Sequence, residues 1–104
     1  MAEILWALTA ESDLQEIEKF IAMDSVLHAV GFVDRLIEST EMLRTSPRIG
    51  RVVLEFNRHD LREVLFRGYR VVYQLQGDTA TILRVVHGAR DLADLVRREP
   101  WDFG

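Results

Sequence analysis

Apolar positions along the chain follow three successive rhythms. Residues 3–8, EILWAL, form a short apolar run that predicts a first strand. From Thr9 the period becomes helical. Ala10, Leu14, Ile17 and Ile21 recur on one face, with Phe20 widening the stripe. Thr9 is suited to cap this helix, and Glu11 and Asp13 place acid in the first turn, where the helix dipole favours it. Asp24-Ser25 interrupts the pattern, and Ser25 can cap a second helix. Ala29, Phe32, Leu36 and Leu43 mark its buried side, with Val33 and Ile37 beside them. Pro47 is the expected stop. So short a link predicts an antiparallel helical hairpin.

After SPRIGR the period falls to two. LREVLF, YRVVYQL and TATILRVVH predict three strands, joined at Arg67-Gly68 and Gly77-Asp78, where glycine supplies positive φ. ARDLADLVRR predicts a short amphipathic helix. The order is β-α-α-β-β-β-α. It predicts an α+β fold: an N-terminal strand, a helical hairpin, and a three-stranded antiparallel meander completing one sheet, with helices on one face and a short C-terminal helix. A single domain over 1–98 followed by a tail over 99–104 is expected.

Two-residue turns fix the registers. Pairing Phe66 with Tyr69 sets Leu65 opposite Arg70 and Glu63 opposite Val72. Pairing Gln76 with Thr79 sets Arg70 opposite Val85. Directly paired residues share a face. Val64, Phe66, Tyr69, Val71, Tyr73, Ile82 and Val86 are then expected beneath the helices. Glu63, Leu65, Arg70, Val72, Leu83, Val85 and His87 are expected on the opposite face, with Arg70 diagonal to both Glu63 and His87. Arg62 and Arg84 fall on the helix side, at the sheet margins with exposed heads. Trp6 is expected in the core.

Composition narrows the chemistry. There is no cysteine, which excludes disulfides, thiolate metal sites and a cysteine nucleophile. No apolar run approaches the roughly 20 residues of a membrane helix, and no signal peptide is read, so a cytoplasmic protein is expected. Charge is divided: residues 1–47 carry 3 basic and 9 acidic side chains, residues 48–98 carry 10 and 6. All ten cations from Arg48 to Arg98 are arginines, which suits bidentate recognition of phosphate or carboxylate. His28 and His59 have no partner at metal-ligand spacing and are assigned to the surface. No metal or cofactor motif is present. Trp101 and Phe103, past Pro100 in an acidic tail, are candidates to dock on a groove or a second protomer.

SPRIGR after a helical hairpin, LREVLFRGYRVVYQL, and ILRVVHGARDL near the end together resemble the RelE/ParE superfamily of toxins from type II toxin–antitoxin (plasmid stabilisation) systems. The resemblance spans Trp6 to Leu95. It implies an antitoxin partner, a homodimer or toxin–antitoxin hetero-oligomer as the assembly, and either DNA gyrase or the ribosome with its mRNA as the target. In the mRNA-cleaving branch the strand arginine contacts the scissile phosphate, and Arg70 matches it. A later basic residue matches Arg90. That branch often has lysines on the preceding strand, where this chain has Leu61 and Glu63. It also has a C-terminal tyrosine, whereas this chain has only Tyr69 and Tyr73. A nuclease subgroup using glutamate, arginine and histidine suggests Glu63, Arg70 and His87, although its glutamate sits nearer Glu55. The RE…YRVVY…HGARD signature is more ParE-like. The resemblance thus implies a gyrase-directed toxin of a branch not known as a nuclease branch, with a ribosome-dependent endoribonuclease or an inactive antitoxin-binding module as alternatives. Arg62, Glu63, Arg70, His87 and Arg90 are the candidate target- or antitoxin-binding residues. An exposed Arg70–Glu63 pair would contribute only about 0–1 kcal/mol.

Overall fold

The computed structural model describes residues 1–99 and residue 101. Strand β1 (Glu3–Trp6) leads into helix α1 (Leu8–Ala22) and helix α2 (Val26–Glu38). Then follow β2 (Arg51–Val52), β3 (Leu61–Phe66), β4 (Tyr69–Gln76), β5 (Thr79–His87) and helix α3 (Leu92–Arg98). The fold is α+β, as the periodicity predicts.

The local chemistry departs from expectation at two helix ends. Ala7, not Thr9, stands at the N-cap of α1. Thr9 is already helical, and its hydroxyl donates to the Leu83 carbonyl at 2.8 Å, which ties α1 to β5. Helix α2 stops at Glu38, well before Pro47. The hydroxyls of Ser39 and Thr40 bond back to the carbonyls of Leu36 and Ile37, a competition with the helix that these residues readily offer. A 3₁₀ turn over Glu41–Arg44 then carries Leu43 into the core. Ser25 caps α2 as expected, accepting from the His28 amide at 3.1 Å.

One five-stranded sheet runs in the order β1-β5-β4-β3-β2. The short β2 was not foreseen, because two residues show no period. The three later junctions are antiparallel, but β1 and β5 are parallel. The chain reaches the far edge at β2 and works back by hairpins, so β5 arrives beside β1 running the same way. Arg67 (φ 45°) and Gly68 (φ 85°) form the first hairpin turn, the conformation that matches right-handed strand twist.

The sheet is covered on both faces, not one. Ala10 and Ile17 of α1 and Phe32 and Leu36 of α2 pack on Val64, Val71, Tyr73, Ile82 and Val85. Trp6 lies half-buried at the margin of that cluster, whereas Phe20 is 64% exposed and does not join it. On the opposite face, Leu92 and Leu95 of α3 pack on Val53, Val72 and Val86, joined by Phe56 and Trp101.

Registers between β3 and β4 are those predicted, from Phe66↔Tyr69 to Leu61↔Gln74. Between β4 and β5 the expected pairing holds from Gln76↔Thr79 to Tyr73↔Ile82, and then shifts. Leu83 is an extra residue in β5, so Val72 pairs with Arg84, Arg70 with Val86 and Tyr69 with His87. A bulge of one residue turns every later side chain to the other face. Val85 therefore joins the helical-hairpin side and Val86 the α3 side, the reverse of the expectation.

Candidate functional site

Arg70 stands on β4 with its side chain on the α3 face, 11% exposed. Four of its N–H groups are taken by two carboxylates. Nε donates to Glu63 Oε1, and Nη2 donates to Glu63 Oε2 at 3.0 Å. Nη1 and Nη2 donate to the two oxygens of Glu55 at 2.7 and 2.8 Å. Arg51 adds a bond from Nε to Glu63 Oε2 at 3.1 Å. Glu63 is on β3, opposite Val72, and its side chain is 1% exposed. Glu55 comes from the irregular segment after β2 and is 30% exposed. Two arginines and two glutamates thus close a neutral network in a groove flanked by Leu54 and Leu65.

The bonds from Arg70 hold the Glu55 carboxyl down, from an ordinary 4.5 to about 2. Glu55 first and Glu63 second raise the Arg70 pKa further above its already high value. The expected exposed Arg70–Glu63 pair is instead a buried one. Glu63 buried without its arginine would be a desolvated charge, which is far costlier than a broken surface bridge.

The other candidates lie elsewhere. His87 pairs with Tyr69 and stacks edge-on against its ring at 5.4 Å, on the helical-hairpin side. The expected Arg70–His87 diagonal is absent because of the bulge. His87 Nδ1 accepts from the Ala89 amide at 3.2 Å. Arg90 is exposed and reaches Glu99 at 3.4 Å. Arg62 donates to the carbonyls of His59, Arg48 and Gly50 at 3.0–3.1 Å, and so shapes the segment before β2. Of the five residues, only Glu63 and Arg70 meet. His28 and His59 are exposed. Among the described residues no cluster of histidines and carboxylates is arranged to hold a metal ion, and no helix is long and apolar enough to cross a membrane.

A second ion cluster was missed. Arg84 is buried rather than exposed-headed, because the bulge pairs it with Val72 on the α3 face. Its Nε and Nη2 donate to Asp13 at 2.8 and 3.0 Å, and Nη2 also to Glu99 at 3.0 Å. Burial opposes its charge, and the two carboxylates outweigh that, so its pKa is raised. Asp13 also accepts from the Val85 amide at 2.8 Å, beyond the end of β1's pairing. A carboxylate on α1 there replaces the missing strand neighbour. Trp101 covers Arg84 at 5.3 Å and meets Phe56 edge-on at 5.6 Å. The segment containing Trp101 is therefore docked on its own chain. Phe103 lies outside the described residues. Because α1 begins at Leu8, only Glu11 stands in the first turn and Asp13 lies one turn later than expected, and its partner 71 residues away was not legible.

Tyr73 shapes the wall of the sheet near Arg62. It is fully buried, donates to the Pro47 carbonyl at 2.7 Å and accepts from the Gly50 amide at 3.0 Å. Burial raises its pKa. SPRIG is thereby pinned to β4, which gives that motif a structural reason.

Comparison with known proteins agrees with this architecture. A chromosomal ParDE toxin–antitoxin system from P. aeruginosa superposes with a TM-score of 0.70 at 20% identity, covering 84% of this chain and 96% of that one. The E. coli toxin RelE, solved as a mutant with an antitoxin RelB peptide, gives 0.60 at 15% identity, covering 98% and 97%. The RelBE2 toxin–antitoxin complex from Mycobacterium tuberculosis gives 0.53 at 23%, covering 83% and 96%. At these identities the likeness is one of fold. No curated protein shows significant sequence similarity. The family model of the ParE toxin of type II toxin–antitoxin systems (parDE) matches residues 4–92. The resemblance read from SPRIGR, YRVVY and HGARD is thus met by sequence model and fold together, and the chain belongs to the ParE toxin family of type II toxin–antitoxin systems.

Proposed function

We propose that this toxin arrests bacterial growth in the cytoplasm by binding DNA gyrase, and that a cognate antitoxin neutralises it. The observation that carries binding over cleavage is the state of Arg70. Its four bonded N–H groups point at Glu55 and Glu63. A phosphoryl-transfer site needs free donors aimed at developing charge, and an acid or base within hydrogen-bond reach. Here four of the five donors are filled, and His87 lies on the other face of the sheet. The relatives of similar fold are toxins solved with antitoxins, which supports a similar partner for this chain.

A ribosome-dependent endoribonuclease is the second reading, favoured only by the match of Arg70 and Arg90 to that branch. Induction of the chain in a bacterial host distinguishes the two. A gyrase-directed toxin raises the DNA-damage response while translation continues at first, and co-expressed antitoxin restores growth. A ribosome-directed nuclease stops translation first.

A further inference from the structure

The segment from residue 53 to 60 forms neither helix nor strand, and it supplies the anion that fills Arg70. Glu63 is fixed on a central strand and almost fully buried. Glu55 is held only by its own irregular segment and by Arg70, and is partly exposed. Of the two carboxylates, Glu55 is the one that can leave without unmaking the sheet. We propose that Glu55 is an internal placeholder, and that the Arg70 fork takes a side-chain carboxylate of a polypeptide partner when Glu55 withdraws.

Geometry, charge and surroundings each favour a carboxylate on a peptide. The outer edge of the guanidinium, Nη1 and Nη2, already binds a carboxylate through two parallel bonds, the arrangement that selects planar anions. With Glu55 in place the four side chains sum to zero. With Glu55 withdrawn, one positive charge remains, which matches one carboxylate. A nucleic acid backbone would call for several unpaired cations along a track, whereas Arg51 is already bonded to Glu63. The rim is apolar: Leu54 is 83% and Leu65 59% exposed. An acid flanked by apolar side chains fits such a rim, and Leu54-Glu55-Phe56 is itself that pattern. The proposal rests on the toxin reading only for who the partner is.

Nuclear magnetic resonance of the Arg70 Nε–H signal tests this directly. The probes are acetyl-leucyl-glutamyl-phenylalaninamide, its glutaminyl twin and inorganic phosphate, each titrated into the wild type and Glu55→Gln. Masking lowers apparent affinity in proportion to the time the site is closed, so unmasking by Glu55→Gln should tighten the glutamyl peptide by about tenfold or more. The glutaminyl twin should leave the signal unmoved. Equal affinity in both proteins overturns the proposal, and so does phosphate binding that matches or exceeds the peptide's. Should Glu55→Gln lose its dispersed spectrum, the Glu55 carboxyl carbon of the wild type is followed instead. It must shift together with Arg70 Nε–H as the glutamyl peptide is added, and peptide binding that leaves it unmoved overturns the idea equally. A chain that arrests growth without the Glu55→Gln gain refutes the placeholder and leaves the toxin reading standing. A gain without growth arrest does the reverse.

Discussion

Arg70 and Glu63 meet diagonally across β4 and β3 as a buried ion pair, with Glu63 only 1% exposed and bonded by both Nε and Nη2 of the arginine. The arginine that interrupts GYRVVYQL is therefore part of the sheet's internal order as well as a candidate contact. Arg70→Ala leaves a desolvated carboxylate with Arg51 alone, itself 60% exposed. Breaking a buried pair costs about 3–5 kcal/mol, and the residual Arg51 bond places this case at about 3. The pair's burial overturns the sequence-based figure of an almost neutral surface bridge. Chemical denaturation of the variant checks it, and Arg70→Ala combined with Glu63→Gln should recover part of the loss.

Acid should weaken the network through Glu55. Its carboxyl is depressed from 4.5 to about 2 by the bonds from Arg70. A depressed carboxyl contributes stability that is fully present above its unfolded pKa and lost as pH falls through the folded value. The window is thus from about pH 4.5 down to about 2. Glu55→Gln should flatten the fall of Tm across the accessible part of that window, with little change in slope above pH 5. Parallel thermal melts at stepped pH measure it, and identical slopes would remove Glu55 from the account.

The Tyr73 hydroxyl joins β4 to the segment before β2. Tyr73→Phe strands the buried Gly50 amide and frees the Pro47 carbonyl, at about 1–3 kcal/mol. Gly50→Ala should be at least as damaging, because a Cβ there would lie 2.5 Å from Tyr73 Oη and 2.8 Å from the Glu63 carbonyl. Denaturant midpoints of the two variants check this. A wild-type midpoint for Gly50→Ala would mean that the SPRIG segment is not pinned as described.

Asp13 and Arg84 should behave as a coupled unit. Asp13 accepts from both the Arg84 guanidinium and the Val85 amide. A double-mutant cycle of Asp13→Asn and Arg84→Gln should return a coupling of about 1–3 kcal/mol. Truncation after Arg98 removes Glu99 and Trp101 from Arg84, and should lower Tm although it spares every strand.

Periodicity sufficed for the order of the three helices and the four longer strands, the hairpin turns and the β3–β4 register, because those depend on local spacing. It placed Arg70 and Glu63 on one face for the same reason. It failed at Leu83, since a bulge is decided by how β5 meets α1, through Thr9 and Asp13, and not by alternation. That one residue moved Val85, Val86 and His87 to the wrong faces and broke the expected Arg70–His87 diagonal. Glu55 could not be assigned to Arg70 from spacing, because it lies on a segment with no period. Arg84 looked like a sheet-margin cation because its partners are 71 residues upstream and 15 downstream.

Whether the chain binds gyrase or cleaves mRNA is decided most directly with purified components. The toxin is incubated with DNA gyrase, ATP and supercoiled plasmid, and in parallel with ribosomes programmed with mRNA. With Arg70 filled by Glu55 and Glu63 and His87 on the opposite face, the expected result is linear, gyrase-linked DNA after denaturation and intact mRNA on the ribosome. Codon-positioned mRNA cuts without gyrase-linked DNA would contradict it, and would mean that Arg70 sheds Glu55 on the ribosome.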